Sequence, residues 1–191
     1  GTIDFLTHLS ELIQDNFMKE RGTKRFIKVP VKQRLINFYE RSFKQESKSL
    51  AEIGAINTES KIWSPYTKII GYKLERSMVR MIEENILPEL EEQYEKVYLI
   101  RNDEIHHKIV VNEFNGTRKF FPDFILYLLH KDTSKVTQIY LEPKGKEFIE
   151  RDNWKQKILQ ALGTDSEIVM DTTIDEFELL GVRFYTGTNH D

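Results

Sequence analysis

The sequence predicts a mixed α/β fold in which helices pack on a sheet. Three observations carry the prediction. Residues 121–129 and 136–141 are apolar runs rich in β-branched and aromatic side chains, joined by a polar loop of hairpin length at 131–135. Residues 66–85 and 147–162 carry apolar side chains at helical spacing on either side of that hairpin. The resulting order of helix, strands, helix and strand is that of a sheet covered by helices.

With 191 residues, 39% hydrophobic and 31% charged, the chain has the size of one ordinary domain with room for an appended subdomain. The absence of cysteine excludes disulfides, zinc ribbons and thiol catalysis, and fits the cytoplasm. No apolar run approaches the roughly 20 residues of a spanning helix and no signal peptide is visible, so no membrane partner is expected. The net charge of −3 gives no global attraction to nucleic acid, and any such contact must come from local patches. The chain begins at Gly1 without an initiator Met, so a piece of a longer protein is expected.

In chain order, Ile3, Leu6, Leu9, Leu12, Ile13 and Phe17 predict an amphipathic helix. Residues 19–34 follow with Lys19, Arg21, Lys24, Arg25, Lys28, Lys32 and Arg34 against Glu20, and Pro30 argues against a continuous helix. This basic run reads either as a solvated connector or as a DNA-backbone contact or interdomain strap. Leu35, Ile36, Tyr39 and Phe43 predict a second helix, and the polar, Ser-rich residues 45–66 a boundary loop. Residues 1–64 are therefore expected to form a helical and linker extension, and residues 65–191 the main domain.

Within that domain, Glu75, Val79, Ile82 and Ile86 follow helical spacing, and Pro88 breaks or kinks the helix. Glu75 on an apolar stripe needs a partner or a metal, unless it snorkels to solvent. Residues 96–100 and 107–114 read as strands, Asn115-Gly116 as a turn, and residues 182–185 as a last strand. Gly163 is the expected stop of the helix over 147–162.

The chemistry gathers at the ends of the two central strands. Antiparallel pairing sets Asp123, at the start of one, beside Glu142, at the end of the other. Residues two apart in a strand share a face, so Glu142 and Lys144 project together where charge is hard to excuse structurally. Cutting a phosphodiester near neutral pH needs a hydroxide-like nucleophile, charge neutralisation at phosphorus and a stabilised leaving oxygen, which Mg²⁺ held by carboxylates can supply. Mg²⁺ keeps several waters, so Asp123, Glu142 and the Pro143 carbonyl would suffice as ligands. Lys144 would orient the attacking water or stabilise charge on the phosphorane. Glu-x-Lys recurs at Glu46-Lys48 and Glu59-Lys61, but only Glu142-Lys144 ends an apolar strand preceded by a Pro-Asp.

Pro122-Asp123 followed by Glu142-Pro143-Lys144 resembles the PD-(D/E)xK signature of restriction-endonuclease-like nucleases. The wording Phe121-Pro122-Asp123-Phe124 and Tyr140-Leu141-Glu142-Pro143-Lys144-Gly145 is most similar to the C-terminal endonuclease domain of type III restriction enzymes, over residues 66–191. The resemblance implies a restriction-endonuclease-like core with a central four-to-five-stranded mixed sheet flanked by helices. It implies Mg²⁺-dependent DNA cleavage, with Mn²⁺ as a substitute, catalytic roles for Asp123, Glu142 and Lys144, and a further acid at Glu75. It also implies a helicase-type ATPase motor in the same polypeptide and a methylation or specificity subunit as partner. No G-x-x-x-x-G-K-[ST] phosphate loop occurs in these residues, so such a motor would lie outside them. Pro143 departs from the small or aliphatic residue common at its position, where the family uses the backbone carbonyl.

Lys155 and Gln156 are expected beside the catalytic residues, with Arg151 and Lys157 near enough to position phosphate. Trp154 reads as core at its helical spacing, and the adjacent His106 and His107 point to opposite faces of a strand and share no metal. The alternatives to an endonuclease are a catalytically inactive nucleic-acid-binding or assembly module of the same fold, and a structural domain with an ion-paired Glu142–Lys144.

Overall fold

The computed structural model describes residues 22–27, 53–102, 109–133, 135–171 and 177–187. The helices expected within 3–17 and around 35–43 lie outside the described residues, as do His106, His107, Glu46 and Lys48. Among the described residues, no helix is long and apolar enough to cross a membrane.

The chain runs through β1 (Arg25–Ile27), β2 (Gly54–Asn57), β3 (Lys68–Gly71), α1 (Lys73–Met81), a widened turn (Ile82–Ile86), α2 (Leu87–Gln93) and β4 (Tyr94–Arg101). It continues through β5 (Val111–Asn112), β6 (Lys119–Phe120), β7 (Phe124–His130), β8 (Val136–Leu141), a short 3₁₀ turn (Lys146–Phe148), α3 (Ile149–Ala161), β9 (Val169–Asp171) and β10 (Phe177–Gly181). The central sheet is mixed, in the order β10-β8-β7-β4. β8 runs antiparallel to β7, β7 antiparallel to β4, and β10 parallel to β8.

Helices cover both faces of this sheet, which is why its strands are apolar nearly throughout. Along β7, side chains alternate between two cores. Phe124, Leu126 and Leu128 pack with Met78 and Val79 of α1, Ile82 of the widened turn and Leu87 of α2. Ile125 packs with Tyr140, with Leu179 of β10, and with Ile158 and Leu159 of α3. β1 pairs in parallel with β9, and β2 forms an antiparallel hairpin with β3.

Four local expectations change, the first being the strand read over 107–114, which among the described residues is only Val111–Asn112. Residues 45–66 read as a loop by composition, yet Gly54–Asn57 is a strand, and Lys68–Gly71 forms its partner where the spacing predicts the start of a helix. Neither is long enough to show a pattern alone; the hairpin is held from outside, by the Leu99 amide bonded to the Trp63 carbonyl at 2.9 Å. The last strand is Phe177–Gly181 rather than 182–185, because that register pairs Phe177 with Val136 and buries Leu179. Tyr185 keeps a single parallel bridge to Pro143. Finally, the helix that opens at Lys73 widens at Ile82–Ile86, where the Leu87 N–H reaches back to the Ile82 carbonyl. Pro88, which has no N–H to give, lies just beyond. The extra residue in the turn rotates Ile86 to the surface (36% exposed) and puts Leu87 (2%) in the core instead.

Candidate active site

The β7–β8 register pairs Phe124 with Leu141, so the next pair beyond the strands is Asp123 and Glu142. The Asp123 backbone N–H donates to Glu142 Oε2 at 3.2 Å. Glu142 is buried, at 3% exposure, and its other oxygen lies 3.1 Å from Lys144 Nζ and 3.4 Å from Lys155 Nζ. Lys144 Nζ also reaches Asp152 Oδ2 at 3.0 Å. Asp123, Glu142 and Lys144 thus meet at one end of the sheet, with Lys155 arriving from the second turn of α3.

The segment that carries them is pinned on its far side. The Lys144 N–H donates to the Tyr185 carbonyl (2.8 Å), and the Tyr185 N–H to the Glu142 carbonyl (3.1 Å). Successive carbonyls of a strand alternate in direction, so the Pro143 carbonyl is turned away from Tyr185, towards the β7 side. A proline is tolerated there because the amides on the Tyr185 side belong to its neighbours. Residues 182–185, though not a strand, therefore clamp Glu142 and Lys144 in place.

The electrostatics are those of crowded carboxylates. Burial, then the charges of Glu142 and Glu75, push the Asp123 carboxyl well above the ordinary range, against the pull of Arg101 and Lys144. Burial acts against the charge on Lys144, but Glu142 and Asp152 outweigh it and raise the ammonium above its usual value. Burial likewise opposes the charge on Asp152, yet hydrogen bonds from Arg151 and Lys144 bring its carboxyl down to about 2.

Glu75 lies on α1, on the stripe with Val79 and Ile82 as its spacing predicts, and it is buried. Its partner is Arg101, at the end of β4: Nη2 sits 2.7 Å from Oε1. The other oxygen accepts the Tyr72 N–H at 2.7 Å and so caps the start of α1. Both oxygens of Glu75 are engaged, yet its charge still reaches Asp123. Gln156 accepts the Phe184 N–H at 3.3 Å and ties α3 to the clamp rather than touching Glu142. Trp154 meets the Phe120 ring edge-on at 5.9 Å, with the Arg118 guanidinium 4.3 Å from its ring centre.

Asp152 is the participant that the sequence pattern leaves unmarked. An acid three residues before Lys155, in the first turns of a helix, is a local signal, but nothing in the sequence says that it meets Lys144. Arg101 is legible in the sequence only as part of a strand end.

Among the described residues, no group of three or more His, Asp or Glu side chains forms a ready cage for a metal ion. Mg²⁺ asks for less, since it completes its shell with water. Asp123 and Glu142 are adjacent, hard oxygen donors whose mutual repulsion a cation would relieve, and the Pro143 carbonyl between Glu142 and Lys144 is a third oxygen of the same segment. The donor set fits such an ion.

Fold and site together define a mixed α/β domain with a buried carboxylate–lysine centre at the strand ends of its sheet. The chain belongs to the HI_1054_C family, described as a C-terminal domain, which matches residues 21–191. It is 34% identical over 136 residues to a protein of Haemophilus influenzae described as an uncharacterized protein. The match covers 65% of this chain and spans 28% of that relative's length. No solved structure matches the chain.

Proposed function

We propose that this chain is a metal-dependent DNA endonuclease domain with a restriction-endonuclease-like core, acting as the cleavage module of a type III restriction enzyme-like protein. The observation that carries the reading is the meeting of Asp123, Glu142 and Lys144 at one strand end, where burial and the neighbouring acids disfavour the Asp123 anion that a bound cation would stabilise. Asp123, Glu142 and the Pro143 carbonyl would hold the ion. When bound, Mg²⁺ or Mn²⁺ would neutralise phosphate charge and supply an activated water.

The chain's own groups do the rest. Lys144, raised above its usual pKa, stays an ammonium and acts as a donor to phosphate oxygen rather than as a base. Lys155 adds a second positive charge at 3.4 Å from Glu142. Glu75 keeps Arg101 and the start of α1 in place beside Asp123. The family's description as a C-terminal domain supports a module carried on a longer polypeptide, with the motor and the methylation or specificity partner elsewhere.

A second reading has its own support. Glu142 and Asp152 are already neutralised by Lys144 and Lys155, the arrangement a non-catalytic DNA-binding or assembly module would keep for stability. Calorimetric titration of Mg²⁺ and Mn²⁺ separates the two. Binding that is lost in both Asp123→Ala and Glu142→Ala, with plasmid cleavage by the full-length protein lost in parallel, is the expected result. Absence of binding in the parent with DNA present, or binding indifferent to either variant, would favour the binding module.

A further inference from the structure

We infer that Asp152 is a positioning residue for Lys144, the anion that retains the site lysines when Glu142 engages a cation. The inference rests on the metal-site reading above and extends it to a residue outside the PD-(D/E)xK pattern.

The geometry is a closed quartet. Lys144 Nζ lies almost equidistant from Asp152 (3.0 Å) and Glu142 (3.1 Å). Lys155 Nζ spans the same two acids at 3.8 and 3.4 Å. The side chains are 9% exposed at Asp152, 3% at Glu142, 14% at Lys144 and 19% at Lys155, so solvent screens them weakly. An ammonium carries three donors, so Lys144 can hold both carboxylates at once and need not leave one to keep the other.

A cation on Glu142 changes this balance. It takes up the carboxylate's charge and brings its own beside two ammonium groups, which it repels. With Asp152 present, both lysines retain a carboxylate at a distance they already hold. Asp152 is itself held on its outer side, where Arg151 Nε donates to Oδ1 at 3.1 Å and Nη2 reaches Oδ2 at 3.5 Å. It comes from α3 and Glu142 from the end of β8, so the lysine retained by Asp152 stays at the site instead of following the displaced carboxylate. Without Asp152, Glu142 becomes the sole carboxylate of the quartet, and a cation must compete with two ammoniums for it.

The test is a calorimetric titration of Mn²⁺ into the whole chain, run on the parent, Asp152→Asn, Asp152→Glu, Lys144→Met and the Asp152→Asn/Lys144→Met double variant. Thermal melts confirm that each is folded. The expected result is a loss of about tenfold in Mn²⁺ affinity for Asp152→Asn, of the size typical for coupled sites. Asp152→Glu recovers most of it, and the loss shrinks in the Lys144→Met background. A loss of the same size with and without Lys144 means that Asp152 does not act through Lys144 and overturns the inference. Parent-like binding by Asp152→Asn also overturns it and leaves the metal site standing. No Mn²⁺ binding by the parent overturns both.

Discussion

Asp123 gives its backbone N–H to the Glu142 carboxylate at 3.2 Å, while the two side-chain charges repel one another. The pair is thus tied through the backbone and strained through its charges. Because the Asp123 carboxyl is raised above its ordinary value of 3.8, the folded chain holds that proton more tightly than the unfolded chain. The stabilisation is complete below the unfolded value and is lost as pH rises through the folded one. In the presence of a chelator, Asp123→Asn should therefore be more stable than the parent at pH 7, by on the order of 1 kcal/mol. The gain should close towards pH 4. Melting curves across that range check the prediction, and an equal gain at both ends would mean that the ionisation of Asp123, disfavoured by burial and by the neighbouring acids, is not its source.

Breaking the Glu75–Arg101 pair should be costly. The side chains are 10% and 11% exposed, the guanidinium lies 5.0 Å from the centre of the Phe124 ring, and Glu75 also caps α1. Glu75→Ala removes the carboxylate 2.7 Å from a buried guanidinium together with the cap on α1, and should lose about 3 kcal/mol in urea unfolding. Replacing both residues with Met should recover a large part of that loss. If the double variant is as unstable as the single one, the cap on α1 rather than the ion pair with Arg101 is what Glu75 supplies.

Gly181 sets how closely α3 approaches the sheet. A Cβ there would stand 2.7 Å from Leu159 Cα and 2.8 Å from its carbonyl carbon, backbone atoms that cannot swing aside. Gly181→Ala should lose about 1–3 kcal/mol through overpacking. It should also weaken metal binding, because α3 carries Asp152 and Lys155. At Gly54 the added methyl would meet the guanidinium of Arg76 at 2.8 Å, the far end of a flexible side chain. Gly54→Ala should accordingly stay within about 0.5 kcal/mol of the parent in the same urea experiment. Comparable losses at the two positions would contradict the distinction between backbone and side-chain obstruction.

The elements whose signal is local can be read from the residues. β7 and β8 are continuous apolar runs with a polar link, and their hairpin register follows from that link, so the pairing of Asp123 with Glu142 is legible in the residues alone. So is the helix that carries Lys155, with Gly163 at its end in the left-handed region at φ 80°. Strand alternation is enough to put Glu142 and Lys144 together, because a side-chain period of two leaves no other choice.

Features that depend on contacts distant along the chain emerge with the folded arrangement. The β2–β3 hairpin is too short to declare itself and leans on β4. The choice of Phe177–Gly181 over the following residues comes from parallel pairing with β8, which no local pattern encodes. The partner of Glu75 stands 26 positions away, on β4. Asp152 joins the site because α3 crosses back over the end of β8. A helix's direction across a sheet is set by the packing of Ile158 and Leu159 against Tyr140 and Leu179, and that long-range burial decides which charges meet.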